Sequence, residues 1–536
     1  MARPNITRRD LLLGAVGAAG ATATAGGLMA LRGADRPEGP PRIEAASEEV
    51  RRAEDLRRRK GTGRTVRTRL VARREEIDLG GATARTWTYD RSAEGIRCTA
   101  GDELSVEVRN ELDEPHSVHW HGLRLRNDMD GVPNLTQPLI EPGGRKTYTF
   151  IAPDSGTYWF HSHHGVQRER GLFAPLVIDD PRDPGDHDVE FTVVLDDWTD
   201  GVGAAPDDIL AALKRGGMGE KYTVEPEEGV VPSPPAAWSY DVPAKLDRAE
   251  VPERLADEVK YPFYLLNRRL PTAPHTFTAK PGQRARIRLI SAGGATVFRV
   301  ALGGHRLTVT HSDGFPVEPV TVDTVQVGSG ERIDLRVTLG DGAFPLVGVA
   351  EGKSAQAVGV VRTAGGEAPQ ADVQPRELAG RLLKLSDLRA TEPVRLEAGE
   401  PDVRHTLYLT GSMRDYAWRL NAETYNAEEP FQGITPLAVH QGQRVRLDLA
   451  NQTPMYHPMH LHGHTFQLRA DDTIGAGAGP PLRHGARKDT VLVGPGQRVS
   501  VDFTADNPGQ WLTHCHNAYH LAGGMATILS YLRPRR

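Results

Sequence analysis

Cysteine is almost absent from this chain: Cys98 and Cys515 are the only two in 536 residues. A disulfide-stapled scaffold is thereby excluded. Neither sign of charge is in excess, with 65 Lys and Arg against 70 Asp and Glu, so there is no electrostatic footprint for a nucleic-acid partner. No internal apolar run approaches the roughly 18 residues that cross a bilayer, and helical periodicity is scarce. Methionine is scarce too, with eight scattered residues. Glycine and proline are plentiful, at 57 and 39 residues, and they recur as turn signals along most of the chain. A length this far beyond one hydrophobic core predicts two to four domains.

The N-terminus reads as an address. In "TRRDLLL", Arg8 and Arg9 precede a mildly apolar, Ala/Gly-rich stretch, so residues 1–34 are expected to form a twin-arginine signal peptide. Export to the periplasm, the cell surface or the medium follows, with no membrane span in the mature chain. Residues 35–66, with "EEVRRAEDLRRRKGTGR", are expected to be a polar linker or a short solvated helix.

Beyond the linker the chain repeats itself. "GDELSVEVRNEL" from Gly101, "GQRARIRLISAG" from Gly282 and "GQRVRLDLANQT" from Gly442 each open with glycine and alternate apolar with polar residues, as half-buried strands do. A second strand follows a Gly-containing turn in "GGRKTYTF", "GSGERIDLRV" and "GPGQRVSVDF". Three β-sandwich domains are expected, at 67–185, 186–370 and 371–536. The protein is read as all-β, and as a monomer.

Alignment of the three copies on their glycines locates the chemistry. Where copy one has His119-Trp120-His121, copy three has His460-Leu461-His462 and copy two has Val300-Ala301-Leu302. Where copy one has His161-Ser162-His163, copy three has His514-Cys515-His516 and copy two has Val347-Gly348-Val349. Two residues apart in a strand, both imidazoles of a pair share one face. Four pairs offer eight imidazoles that converge if the outer domains pack together, and the middle domain is blank. Twelve of the 20 histidines fall in four short stretches, too many for scattered core or surface residues.

Cys515 then has to face the other way from His514 and His516. On that side it can meet His457, His520 and Met525, and two imidazoles, a thiolate and a weak thioether are the ligand set of a blue, electron-transferring copper. The backbone links that copper to the histidine cluster on both sides of the cysteine. Cys98, in a strand-like stretch, reads as a small buried residue.

"HWHG", "HSHHG", "HPMHLHGH" and "HCHNAYHLAGGM" together resemble the copper signatures of the multicopper oxidases, the family of laccases, cuprous oxidases, ferroxidases and copper-resistance oxidases. The resemblance runs over about residues 67–536. It implies three cupredoxin-like Greek-key sandwiches and four copper ions per chain. By that resemblance His457, Cys515, His520 and Met525 hold type 1 copper, and His119 and His460 hold type 2. His121, His161 and His516 hold one type 3 copper, and His163, His462 and His514 hold the other. The implied reaction is one-electron oxidation of a reductant at type 1, with four-electron reduction of dioxygen to water at the cluster, linked through His514, Cys515 and His516. His116, His164 and His464 stand beside ligands and are expected to orient them.

Two other classes fit less well. A structural protein on this fold would have lost its ligands, and a copper-storage protein would carry Met-rich or His-rich tracts; neither feature is present. A copper nitrite reductase needs only three histidines at its second site. Phenols and aromatic amines are the expected reductants, together with cuprous ion, and a dedicated cuprous or ferrous oxidase serving copper resistance is the alternative. Met455, two residues before His457, is the candidate for holding cuprous ion, with Thr453 where relatives specialised for that ion have an acid. Asp130, in "NDMDGVP", matches the family's acid near type 2 copper and is expected to relay protons. Leu521 occupies the position of a second acid in many bacterial relatives, so proton supply leans on Asp130 or on an acid the sequence does not identify.

Overall fold

The computed structural model describes residues 41–90, 94–216, 222–223, 258–397, 399–474 and 481–534. The expected signal peptide lies outside the described residues.

Six sheets of four to six strands make three sandwiches, and the three are wired alike. In each, the first strand runs parallel to the strand that opens with the repeated glycine: Thr65–Asp78 beside Glu103–Asn110, Val189–Trp198 beside Arg284–Ser291, and Val403–Ser412 beside Arg444–Asn451. The strand after the next turn then adds antiparallel, as Arg145–Ile151, Arg332–Thr338 and Gln497–Thr504. The repeats read from sequence are therefore repeats of topology. Alternation drives the pattern: Leu104, Val106 and Val108 are fully buried while Glu103, Ser105 and Glu107 between them are only partly covered. Each such aliphatic side chain contributes about 1.5–3 kcal/mol on burial. The first sandwich has its own core, whereas one continuous core runs through the second and third. Among the described residues no helix is long and apolar enough to cross a membrane.

The polar stretch before the first sandwich is not solvated all round. It contains a helix, Glu48–Arg59, capped by Ser47 with acids in its first turn and arginines in its last. Glu54 is fully buried on it, and its carboxylate accepts the Ile151 N–H at 2.8 Å. Arg57 reaches Asn507 at 2.7 Å, and the Ile43 N–H donates to the Tyr531 carbonyl at 2.9 Å. The segment thus straps the last strand of the third sandwich to the first. Its composition, rich in Arg and Glu, hides the two buried residues, Val50 and Glu54, that make the strap dock.

Candidate metal centres

The histidine strands are ladder neighbours. His119–His121 pairs antiparallel with Gly156–His161, with His119 opposite His161. His457–Leu461 pairs with Gln510–Cys515, with His460 opposite His514 and Met459 opposite Cys515. Side-by-side strands therefore stack two His pairs on one face of each outer sandwich. In the middle sandwich Val300 lies opposite Gly348, one residue later than the glycine alignment implies, because one more residue intervenes after Gly342. No imidazole stands there in either register.

The two faces meet. His119 stacks on His462 with ring centroids 3.8 Å apart, and His121 on His460 at 3.9 Å, in each case across the domain boundary. Nearly every ring has its outward nitrogen committed. His119 Nδ1 donates to the Asp130 carbonyl at 2.8 Å, His460 Nδ1 to that of Asp489 at 2.9 Å, His161 Nδ1 to that of Ser162 at 2.8 Å and His514 Nδ1 to that of Cys515 at 2.8 Å. His462 Nδ1 donates to the Asp130 carboxylate at 2.9 Å. His121 is turned the other way, with Nε2 held 3.1 Å from Thr490 Oγ1.

The inward nitrogens decide what the cluster is for. Nε2 of His119, His163 and His460 and Nδ1 of His121 are buried without a hydrogen-bond partner. Leaving such an atom orphaned costs about 1–3 kcal/mol, so a group of them facing one another is a donor set built for a cation. Nitrogens within 4.8 Å of one another come from His119, His121 and His161, from His119, His460 and His462, and from His163, His462 and His514. Burial holds His121, His161, His163, His462, His514 and His516 well below the usual imidazole range, and it lowers His460 too. Neutral rings keep the lone pair that a metal needs. The donor chemistry fits copper.

Cys515 indeed points to the opposite side. Its Sγ lies 3.6 Å from His457 Nδ1 and 3.5 Å from His520 Nδ1, and those two nitrogens are 3.0 Å apart, all fully buried. Asn517 caps the short helix Ala518–Ala522, accepting from the Tyr519 and His520 N–H groups and so aiming His520. Met525 is buried in the following turn; its N–H donates to the His520 carbonyl and its carbonyl accepts from the Cys515 N–H, both at 3.0 Å. Trp418 covers His520 with centroids 4.1 Å apart.

Asp130 lies inside the cluster wall, fully buried, with one oxygen on His462 and the other 3.3 Å from His119 Nδ1. The turn Asn127–Met129 delivers it there. Met455 packs in the hydrophobic core at 4 % exposure, and Thr453 Oγ1 sits 2.7 Å from His457 Nε2. A buried thioether is poorly placed to meet a metal ion arriving from solvent. Of the three flanking histidines, His464 bonds the carbonyl of His462 at 3.1 Å, and His116 bonds Tyr89 and Gln167 rather than a candidate ligand. Cys98 is buried, which pushes its thiol up to about 12.

Several residues around the centres escaped the sequence reading. Glu258 is buried with its carboxylate 3.2 Å from the outward Nε2 of His520 and accepts the Tyr416 hydroxyl at 2.6 Å. Burial opposes charge on both partners, yet their mutual attraction prevails, lowering Glu258 and raising His520. Asp489 touches His121 at 3.2 Å and His460 at 3.4 Å, Arg168 reaches His516 Nδ1 at 2.7 Å, and Ser329 and Arg332 approach from the middle sandwich. All are common residue types more than 150 positions from most of what they touch, without a local spacing to mark them.

Multicopper oxidase signatures match residues 71–183, 190–364 and 400–532, one in each sandwich. The chain is 44% identical over 475 residues to the multicopper oxidase MmcO of Mycobacterium tuberculosis, covering 88% of each protein. It is 28% identical to a copper resistance protein A homolog of Pseudomonas syringae pv. tomato, covering 84% of this chain and 90% of that one. The solved structure of Fet3p, a multicopper oxidase that functions in iron import, superposes with a TM-score of 0.71 at 21% identity, over 87% of this chain and 90% of that one, a likeness of fold. With three matching signatures, a 44% identical relative and two buried donor sets that suit copper, this chain belongs to the multicopper oxidase family.

Proposed function

We propose that this multicopper oxidase holds four coppers per chain and draws its electrons from phenols and aromatic amines, with cuprous ion as a further reductant. The observation that carries the reading is Cys515 itself, lodged in its strand between His514 and His516 while its sulfur faces His457 and His520. We assign His457, Cys515, His520 and Met525 to type 1 copper, and His119 and His460 to type 2. His121, His161 and His516 take one type 3 ion, and His163, His462 and His514 the other. Bound copper supplies one-electron chemistry at the cysteine and four-electron reduction of dioxygen to water at the histidines. The chain's own contribution is the path and the protons. Two covalent routes leave Cys515 along the backbone, one to each neighbouring imidazole. Asp130, hydrogen-bonded to His462, is the acid placed to hold and pass protons at the cluster.

One observation favours the narrower alternative of a dedicated cuprous or ferrous oxidase. The outward nitrogen of His520 meets the Glu258 carboxylate, which is as buried as Met455 and so acts on a metal cation through its negative field and not as a ligand. The names of relatives such as the copper resistance proteins support a role in copper tolerance, and Arg8 and Arg9 support export by the twin-arginine route. Side-by-side steady-state rates for cuprous ion, ferrous ion and a phenol decide between the readings. Glu258→Gln should depress metal-ion oxidation at least tenfold more than phenol oxidation if the narrower one holds. Equal losses favour the broad one.

A further inference from the structure

The middle sandwich carries no histidine ligand, yet its second turn reaches the cluster. The three homologous turns can be compared residue by residue: Gly143-Gly144-Arg145, Gly330-Glu331-Arg332 and Gly496-Gln497-Arg498. All three opening glycines have positive φ, at 75°, 89° and 67°. A Cβ added at Gly143 or Gly496 would meet nothing within 4 Å, whereas at Gly330 it would lie 3.0 Å from His121 Cε1 and from His516 Cγ. The arginines diverge in the same way. Arg145 is exposed and the Arg498 side chain keeps 38% of its surface, while Arg332 is fully buried. One turn of three has been driven into the interior.

What Arg332 does there is specific. Its fork grips both oxygens of Asp489 at 2.8 and 2.6 Å, its Nε donates to the Thr157 carbonyl at 3.0 Å and its own turn supplies a further bond at Gly330. One side chain of the middle sandwich therefore ties the first sandwich to the third beside the cluster. With both its oxygens accepting from Arg332, Asp489 together with Thr490 occupies Nε2 of His121, leaving Nδ1 as the inward nitrogen. The Asp489 carbonyl fixes His460 Nδ1, leaving Nε2 inward. Asp313, also of the middle sandwich, accepts the backbone N–H groups of Asp489 and Thr490 at 3.2 and 3.1 Å, and Ser329 Oγ sits 2.9 Å from His516 Nδ1.

We propose that Arg332, through Asp489, and Ser329 are positioning residues of the dioxygen-reducing cluster, so that the ligand-free middle sandwich sets which nitrogens of His121 and His460 face the metals and shares that task at His516 with Arg168 of the first sandwich, 2.7 Å from the same Nδ1. This rests on the assignment of those histidines to the cluster. Outer partners that fix ring orientation are worth about 10–100-fold in metal affinity. Three full-chain variants, Asp489→Asn, Arg332→Lys and Ser329→Ala, would be loaded with copper beside the wild type. Copper per chain, chelator competition at the cluster, the type 2 electron paramagnetic resonance spectrum and the blue band would be read on each. Asp489→Asn should lose about tenfold or more in cluster copper affinity and change the type 2 spectrum, with the blue band unaltered. Arg332→Lys, which keeps the charge but not the fork, should show a smaller loss of the same kind, and Ser329→Ala should perturb the coupled pair while leaving type 2 in place. Wild-type affinity and spectra in Asp489→Asn and Ser329→Ala would overturn the proposal even if Arg332→Lys failed to fold. A wild-type protein with no type 2 signal would instead overturn the four-copper reading on which it rests.

Discussion

The Cys515 centre is assembled within one sandwich, from residues between His457 and Met525, whereas the eight-imidazole cluster draws half its rings from the first sandwich and half from the third. Their surroundings differ accordingly. Around the cysteine Trp418 lies against His520, the Thr453 hydroxyl against His457 and the Glu258 carboxylate at the outward edge. Around the histidines the walls carry charge, from Asp130, Asp489, Arg332 and Arg168. A local site takes its geometry from one chain segment and its turns. A site between domains takes it from interdomain contacts, and those contacts here are buried ion pairs and hydrogen bonds whose removal is costly.

The sharpest break in this comparison is Cys515→Ser. The local centre should lose its copper, its colour and nearly all oxidase activity, while the cluster, held by other residues, keeps its metal; a blue Cys515→Ser protein would refute the assignment. Asp130→Asn acts on the cluster alone. Reoxidation of the reduced protein by dioxygen should slow about tenfold, with reduction of the cysteine centre by substrate near normal, as stopped-flow mixing would register. Met525→Leu touches only the local centre. Losing a weak donor to the oxidised ion should raise its potential on the order of 100 mV, about 2 kcal/mol for one electron, and a redox titration of the blue band showing no rise would count against Met525 as ligand. Loosening the strap should separate the two sites by heat: Glu54→Gln weakens the bond to Ile151 N–H, costs about 1–2 kcal/mol, and should make cluster copper leave before the blue colour fades. The smallest effect belongs to Met455→Leu. A buried, volume-conserving change should leave the Michaelis constant for cuprous ion within about twofold, and a larger rise would restore the sulfur to a substrate role.

The residues of the two donor sets were legible because most sit in a short pattern that strand geometry turns into a shared face, and because the pattern recurs on a repeat. His119 and His460 align on the repeated glycines alone. Cys515 is readable for the same reason, since its neighbours dictate which way it points. Asp130 was found only through likeness to a family. Arg332 and Asp489 were invisible: they are 157 positions apart, and Arg332 stands in a turn whose two counterparts face solvent. Glu54 was hidden by its own charge, since a buried glutamate among arginines reads as a solvated helix. The one-residue offset that places Gly348 opposite Val300 shows the remaining limit, because ladder register depends on residues between turn and strand that glycine alignment does not count.

The cluster joins residues as far apart along the chain as His121 and His516, whose ring centroids lie 4.7 Å from one another. Such contacts close last, after each sandwich has formed its own local pairings. Metal loading at the cluster is therefore a final event in the life of the chain: a nascent polypeptide that stops short of the strand Gln510–Cys515 still lacks His514 and His516. Copper held there would act as a removable cross-link between the first sandwich and the third. Because it binds only the completed fold, a hundredfold excess over its dissociation constant adds about 2.7 kcal/mol to stability. A copper-loaded chain would thus outlast an empty one in its folded form.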